Sequence, residues 1–160
     1  MTTKIDCLML IDDNKIDQLH YERIISRSGL VEKTISFYFA EEALEYLKDN
    51  RNQKPNMIFL DVKMPRMDGF EFLDHAVGQF GPDALSVVVM LTTSLDPRDR
   101  ARARGFSCVK DFQNKPLTEA TLSQALKHAA PVGAAAHRVG SAPTDQAGLN
   151  LDGDNRFKTS

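Results

Sequence analysis

Hydrophobic positions along this chain follow two alternating periods. Ile5 to Ile11, Met57 to Asp61 and Ser86 to Leu91 are near-continuous apolar runs bounded by turn residues. That pattern belongs to strands covered on both faces. Thr34 to Phe39 alternates in part, with Ile35, Phe37 and Phe39 on one side, and Cys108 to Phe112 is short; both suit the edges of a sheet. Between these runs the apolar period lengthens to that of helices. Asn14 to about Ser28 reads as a helix with Ile16, Leu19, Ile24 and Ile25 on its apolar side and Gly29 as its stop. Ala40, Ala43, Leu44 and Leu47 mark a second helix. Phe70, Leu73 and Val77, behind a cap at Asp68, mark a third.

A fourth helix begins at Asp96-Pro97, a capping carboxylate followed by proline at the first helical position. It carries Arg98, Asp99, Arg100, Arg102 and Arg104 with only alanines between them, and Gly105 ends it. A run of this kind reads as a solvated face before it reads as a binding patch. The last helix follows Thr118 and buries Leu122, Ala125, Leu126 and Ala129. Five strands alternating with five helices predict an α/β fold: a doubly wound, five-stranded parallel sheet with helices on both faces. A strand order of 2-1-3-4-5 is compatible with this pattern. It places strands one and three side by side at the switch point, where such sheets bind ligands.

Pro131 stops the final helix, so residues 1–130 form the predicted domain. From Val132 to Ser160 the composition shifts to Gly, Ala, Ser, Pro, Asp and Asn. Such a segment buries too little apolar surface to offset its ordering entropy, and a disordered tail is expected for 131–160.

Composition narrows the function. The 160 residues carry a formal charge of −2, which argues against a nucleic-acid partner. Cys7 and Cys108 both lie in apolar runs and read as buried thiols in a reducing compartment. No signal-peptide core or membrane-spanning run is present, and a cytoplasmic location is expected.

The candidate chemistry collects at strand ends. Asp12-Asp13 follow strand one, Asp61 closes strand three, Thr92 follows strand four and Lys115 follows strand five. Carboxylates converging there repel one another unless a cation joins them. An oxygen-only donor set favours Mg2+, or Mn2+, which commonly retains a phosphate oxygen among its ligands. Asp61 is then the candidate nucleophile, since a carboxylate can become an aspartyl phosphate. Lys115 would neutralise phosphoryl oxygens, and the Thr92 hydroxyl would donate to one of them.

With Met64-Pro65 and Asp68-Gly69 behind Asp61 and Pro116 behind Lys115, the chain resembles the CheY-like receiver domains of two-component response regulators over about residues 4 to 130. The resemblance implies a phosphoryl-accepting switch in a phosphorelay, one that assists its own phosphorylation and dephosphorylation without being an enzyme on other substrates. It implies a histidine kinase or phosphotransfer protein as donor and a downstream protein target, with neither nucleic acid nor membrane as partner. It maps the phosphoacceptor to Asp61 and the metal ligands to Asp13, Asp61 and the backbone carbonyl of Lys63, with Asp12 acting through water. The switch hydroxyl maps to Thr92, the phosphate-binding lysine to Lys115 and the switch aromatic to Phe112. The surface of helix four, strand five and helix five is the expected output face, and by analogy a homodimer face. No output domain is read after residue 130, so a stand-alone type is expected. The alternative is a Mg2+-dependent small-molecule phosphatase or phosphotransferase, for which a separate acid/base and a substrate pocket are not apparent.

Overall fold

The computed structural model describes residues 4–129. The expected tail and Pro131 lie outside them. Five parallel strands form one sheet in the order β2-β1-β3-β4-β5: β1 (Ile5–Ile11), β2 (Val31–Phe37), β3 (Met57–Asp61), β4 (Val88–Thr92) and β5 (Val109–Asn114). The connecting helices are α1 (Lys15–Ser28), α2 (Ala40–Lys48), α3 (Gly69–Phe80), α4 (Pro97–Ala103) and α5 (Glu119–Leu126). Every residue of β3 and β4 is buried, whereas β2 and β5 are only partly covered. The central and edge positions therefore follow the hydrophobic runs. Among the described residues no helix is long and apolar enough to cross a membrane.

The sheet separates two apolar layers. On one face, Met9, Ile11, Ile58, Leu60, Val88 and Met90 pack with buried residues of α2 and α3. On the other, Leu8, Leu10, Phe59, Val89 and Leu91 pack with Tyr21, Ile24 and Ile25 of α1 and Leu122, Ala125 and Leu126 of α5. Alternation along each strand feeds both layers, which is why the central strands read as unbroken apolar runs. Cys7 and Cys108 are free and buried.

Three strand boundaries differ from the sequence reading. β2 starts at Val31 and ends at Phe37 because it pairs with β1 from Ile5↔Val31 to Ile11↔Phe37. An edge ladder joins backbone groups and does not require apolar side chains, so Glu32 and Lys33 enter the strand although exposed. Phe39 becomes the residue before α2. β4 begins two residues late, at Val88; Ser86 and Val87 serve as its approach, with the Ser86 hydroxyl donating to Pro55 O at 2.7 Å. β5 runs on to Asn114 because Thr92 is opposite it in the ladder.

The stop at Gly29 and the cap at Asp68 follow the sequence reading, while the cap of α1 is Asn14. Asn14 Oδ1 accepts from the N–H groups of Ile16 and Asp17, and Gly29 adopts φ 67°, a left-handed turn that glycine takes without steric cost. Asp68 and Glu71 form a reciprocal capping box on α3. The face of α1 is a correction, however. Ile16 and Leu19, expected inside, are 77% and 62% exposed, while Gln18 and Tyr21 join Ile24 and Ile25 in the interior. The Asn14 cap sets where the helix starts, and the 3.6-residue period then turns Gln18, Tyr21 and Ile25 toward the sheet. Val77 of α3 is likewise only half-buried, with Phe72 and Ala76 taking the inner positions.

Candidate functional site

Strands β1 and β3 are hydrogen-bonded neighbours with Ile11 opposite Leu60. Asp12, one residue beyond β1, therefore lies beside Asp61, the last residue of β3. Asp12, Asp13 and Asp61 offer carboxylate oxygens that all lie within 4.8 Å of one another. Gly69 helps hold Asp61 in place. Its N–H donates to Val62 O at 2.9 Å, and a Cβ at this position would collide with the Asp61 carbonyl oxygen. The loop can close this tightly behind the acid only with glycine there.

Asp12 is fully engaged. Its Oδ1 accepts from the N–H of Asn14 at 2.9 Å, and its Oδ2 accepts from the Tyr21 hydroxyl at 2.9 Å and from Lys115 Nζ at 2.9 Å. The Gln18 side-chain amide donates to the carbonyls of Asp12 and Phe37, pinning the start of α1 to the ends of β1 and β2. Asp17, Gln18 and Tyr21 are functional positions that sequence reasoning missed. The available signal was their spacing: polar residues in the stripe that continues into Ile24 and Ile25.

Lys115 joins the acids into one network. Its ammonium lies 2.8 Å from Asp17 Oδ2, 2.9 Å from Asp12 Oδ2 and 3.3 Å from Asp61 Oδ1. The main-chain N–H of Lys115 donates to Thr92 O at 2.8 Å, so the end of β4 positions the lysine. Burial opposes the ammonium, yet hydrogen bonds to Asp17 and Asp12 outweigh it and hold Lys115 above the ordinary lysine range. For Asp61 the balance goes the other way. Burial, then the nearby Asp12 charge, push its carboxyl up to about 7 despite the attraction of Lys115. Burial and the adjacent Asp12 carboxylate likewise drive Tyr21 upward, so it acts as a hydroxyl donor.

The remaining sequence candidates take different places. Asp13, Asp17, Asp61, Lys63 and Lys115 line a cleft of about 540 Å3 together with Thr93. Thr92 is fully buried, and its Oγ1 accepts from the Ser94 N–H at 2.9 Å. Phe112 is half-buried on β5, with the Arg100 guanidinium 4.8 Å from its ring centre. Arg100 also donates to Phe112 O at 3.3 Å. The acids suit a divalent cation. They are oxygen donors only, they crowd within one ion's reach, and the Asp61 carboxyl, raised first by burial and then by the Asp12 charge, faces a repulsion that a cation would relieve. The nearby ammonium and the open cleft leave room for an anion on the same side.

Comparison with known proteins is consistent with this geometry. Residues 8–127 match the family model of the response regulator receiver domain. A probable methanogenesis regulatory protein, FilR2, of Methanothrix harundinacea is 30% identical over 114 residues, covering 69% of this chain and 72% of the relative. A protein-glutamate methylesterase/protein-glutamine glutaminase of Anaeromyxobacter dehalogenans is 34% identical over 82 residues, covering 51% of this chain but only 21% of that enzyme. The crystal structure of a two-component response regulator from Cytophaga hutchinsonii superposes with a TM-score of 0.70 at 32% identity, over 78% of this chain and 96% of that one.

Proposed function

The chain belongs to the response regulator receiver family, and from that premise we propose that Asp61 accepts a phosphoryl group from a phosphohistidine donor in a Mg2+-dependent reaction. The observation that carries the proposal is the seating of Asp61. A buried carboxylate stands at a strand end with Lys115 Nζ at 3.3 Å and the oxygens of Asp12 and Asp13 beside it. An Asp61 oxygen attacks phosphorus, one P–O bond forms as the donor's P–N bond breaks, and the histidine leaves with the electron pair. Asp13, Asp61 and the Lys63 carbonyl would hold the cation, with Asp12 reaching it through water. When bound, Mg2+ or Mn2+ supplies positive charge between the carboxylates and the phosphoryl oxygens.

The side chains do the rest. Lys115 donates to a phosphoryl oxygen and offsets its charge. The Thr92 hydroxyl accepts from Ser94 at rest, which leaves its own proton free to donate once an anion arrives. A pull on Thr92 moves the loop leading into α4. A cavity lined by Ser94, Pro97, Arg100 and Phe112 lies beside that loop, so the ring and its Arg100 partner have room to rearrange. This supports α4, β5 and α5 as the surface that signals to a downstream protein or pairs two copies of the chain. Helix α4 buries only Ala103 and is lightly held, as a moving part requires. Ile16 lines the cleft and is exposed, and with the exposed Leu19 one turn on along α1 it offers an apolar step where a donor histidine kinase or phosphotransfer protein can dock. The free, buried thiols of Cys7 and Cys108 support a cytoplasmic setting.

The test is direct. Acetyl phosphate with Mg2+ should add one phosphoryl group to the protein by mass, and Asp61→Asn should take none. Equal labelling of that variant would remove Asp61 from the reaction. Repeated turnover of small organic phosphates would point instead to a hydrolase.

A further inference from the structure

Lys115 has three N–H donors, and the structure gives it three carboxylates. Two belong to the acidic cluster. The third, Asp17, does not, yet its 2.8 Å contact is the shortest of the set and that to Asp61, at 3.3 Å, the longest. Asp17 sits in the first turn of α1, where its N–H is capped by Asn14. Gln18, next to it, is tied to two strand-end carbonyls. The backbone of Asp17 is thus fixed, and only its side chain is free to swing.

We propose that Asp17 is a positioning residue that holds Lys115 back from Asp61 in the unmodified protein and must release it when a phosphoryl group arrives. The inference rests on the reading of Asp61 as phosphoacceptor. An arriving phosphoryl group needs an N–H from Lys115, whose hydrogen bond points to Asp17 at 2.8 Å. The Asp61 contact, the longest at 3.3 Å, weakens by itself once that carboxylate is esterified, which leaves Asp12 and Asp17 to compete with the phosphoryl group for the ammonium. Asp12 is enclosed, with only 2% of its side chain exposed, and is bound by Tyr21 and Asn14. Asp17, with 33% of its side chain exposed, can turn to water, where hydration replaces the lysine contact. It is the contact that yields. The negative charge of Asp17 also opposes a second anion on the same lysine. Asp17 therefore lowers the affinity of the site for a phosphoryl group and biases the switch toward rest.

Beryllium fluoride, a phosphoryl mimic, tests this by calorimetric titration of the full chain in Mg2+. Asp17→Asn keeps the shape and removes the charge. It should bind the mimic about tenfold more tightly, the scale of recovering one charge-assisted hydrogen bond. Asp17→Glu, which restores the charge, should return affinity toward the wild-type value. In a Lys115→Met background the gain from Asp17→Asn should shrink to roughly twofold or less, because the two residues act through one contact. Unchanged or weaker binding by Asp17→Asn would overturn the proposal, as would a full gain without the lysine. A wild-type protein that fails to bind the mimic at all would instead overturn the phosphoacceptor reading itself.

Discussion

Replacing Asp61 with asparagine should stabilise the metal-free protein, and the gain should grow with pH. Asp61 is 7% exposed at its side chain and sits among two other carboxylates. Burial and the Asp12 charge raise its folded-state value to about 7 from the ordinary 3.8. An acid whose value is raised on folding binds its proton more tightly in the folded state. Its favourable contribution is complete below the unfolded value and is lost as pH climbs through the folded value. A shift of about 3 units corresponds to about 4 kcal/mol of lost stability by about pH 8, at about 1.4 kcal/mol per unit. Asparagine carries no proton to lose, and the pull of Lys115 on the carboxylate is already contained in the value of about 7. The variant should therefore exceed wild type by about 4 kcal/mol near pH 8. Near pH 5 the excess should be less than half of that, since most of the titration still lies ahead. Urea unfolding followed by circular dichroism at both pH values, in a chelator, measures the difference. Saturating Mg2+ should close the gap by stabilising wild type selectively. An advantage that is constant with pH, or that shrinks as pH rises, would refute the account of charge crowding at Asp61.

Two further substitutions probe the support around the acids. Tyr21→Phe keeps the ring in the core but removes the 2.9 Å hydrogen bond to Asp12 Oδ2, and should cost about 1 kcal/mol in the same unfolding assay; no loss would mean that the hydroxyl contributes nothing to holding Asp12. Gly69→Ala places a methyl group against the Asp61 carbonyl and 3.1 Å from Met90 Cε, so it should destabilise by about 1–3 kcal/mol and slow labelling by acetyl phosphate. Gly78→Ala is the control: a Cβ there meets nothing within 4 Å, and the helix should gain about 0.5–1 kcal/mol.

The order of elements and the placement of the chemistry were legible because both are local signals. Apolar runs ending at Ile11, Asp61 and Leu91 marked buried parallel strands, and in such a sheet the residues at or just past their carboxyl ends must share one rim. Asp12, Asp13, Asp61 and Lys115 could therefore be grouped without knowing a single distance. Strand limits at the edges were less legible, since backbone pairing recruits Val31 to Lys33 regardless of their side chains.

The phase of α1 depended on the tertiary structure. Periodicity pointed to Ile16 and Leu19 as inward, but the interior at that level needs donors and acceptors for strand ends and a buried aspartate, and Gln18 and Tyr21 supply them. Hydrophobic patterning has no means of registering a polar demand made by another part of the chain. The same holds for Asp17 and Lys115, which are 98 residues apart and touch at 2.8 Å. The need for glycine at position 69 arises from a backbone passing behind it. The amino-acid sequence by itself determined the alternation of strands and helices and the grouping of Asp12, Asp13, Asp61 and Lys115, because each of these is written as a residue type at the end of a recognisable strand. Only the tertiary structure decided how strongly they perturb one another, because burial and long-range contact set the charge on Asp61 and the partners of Lys115.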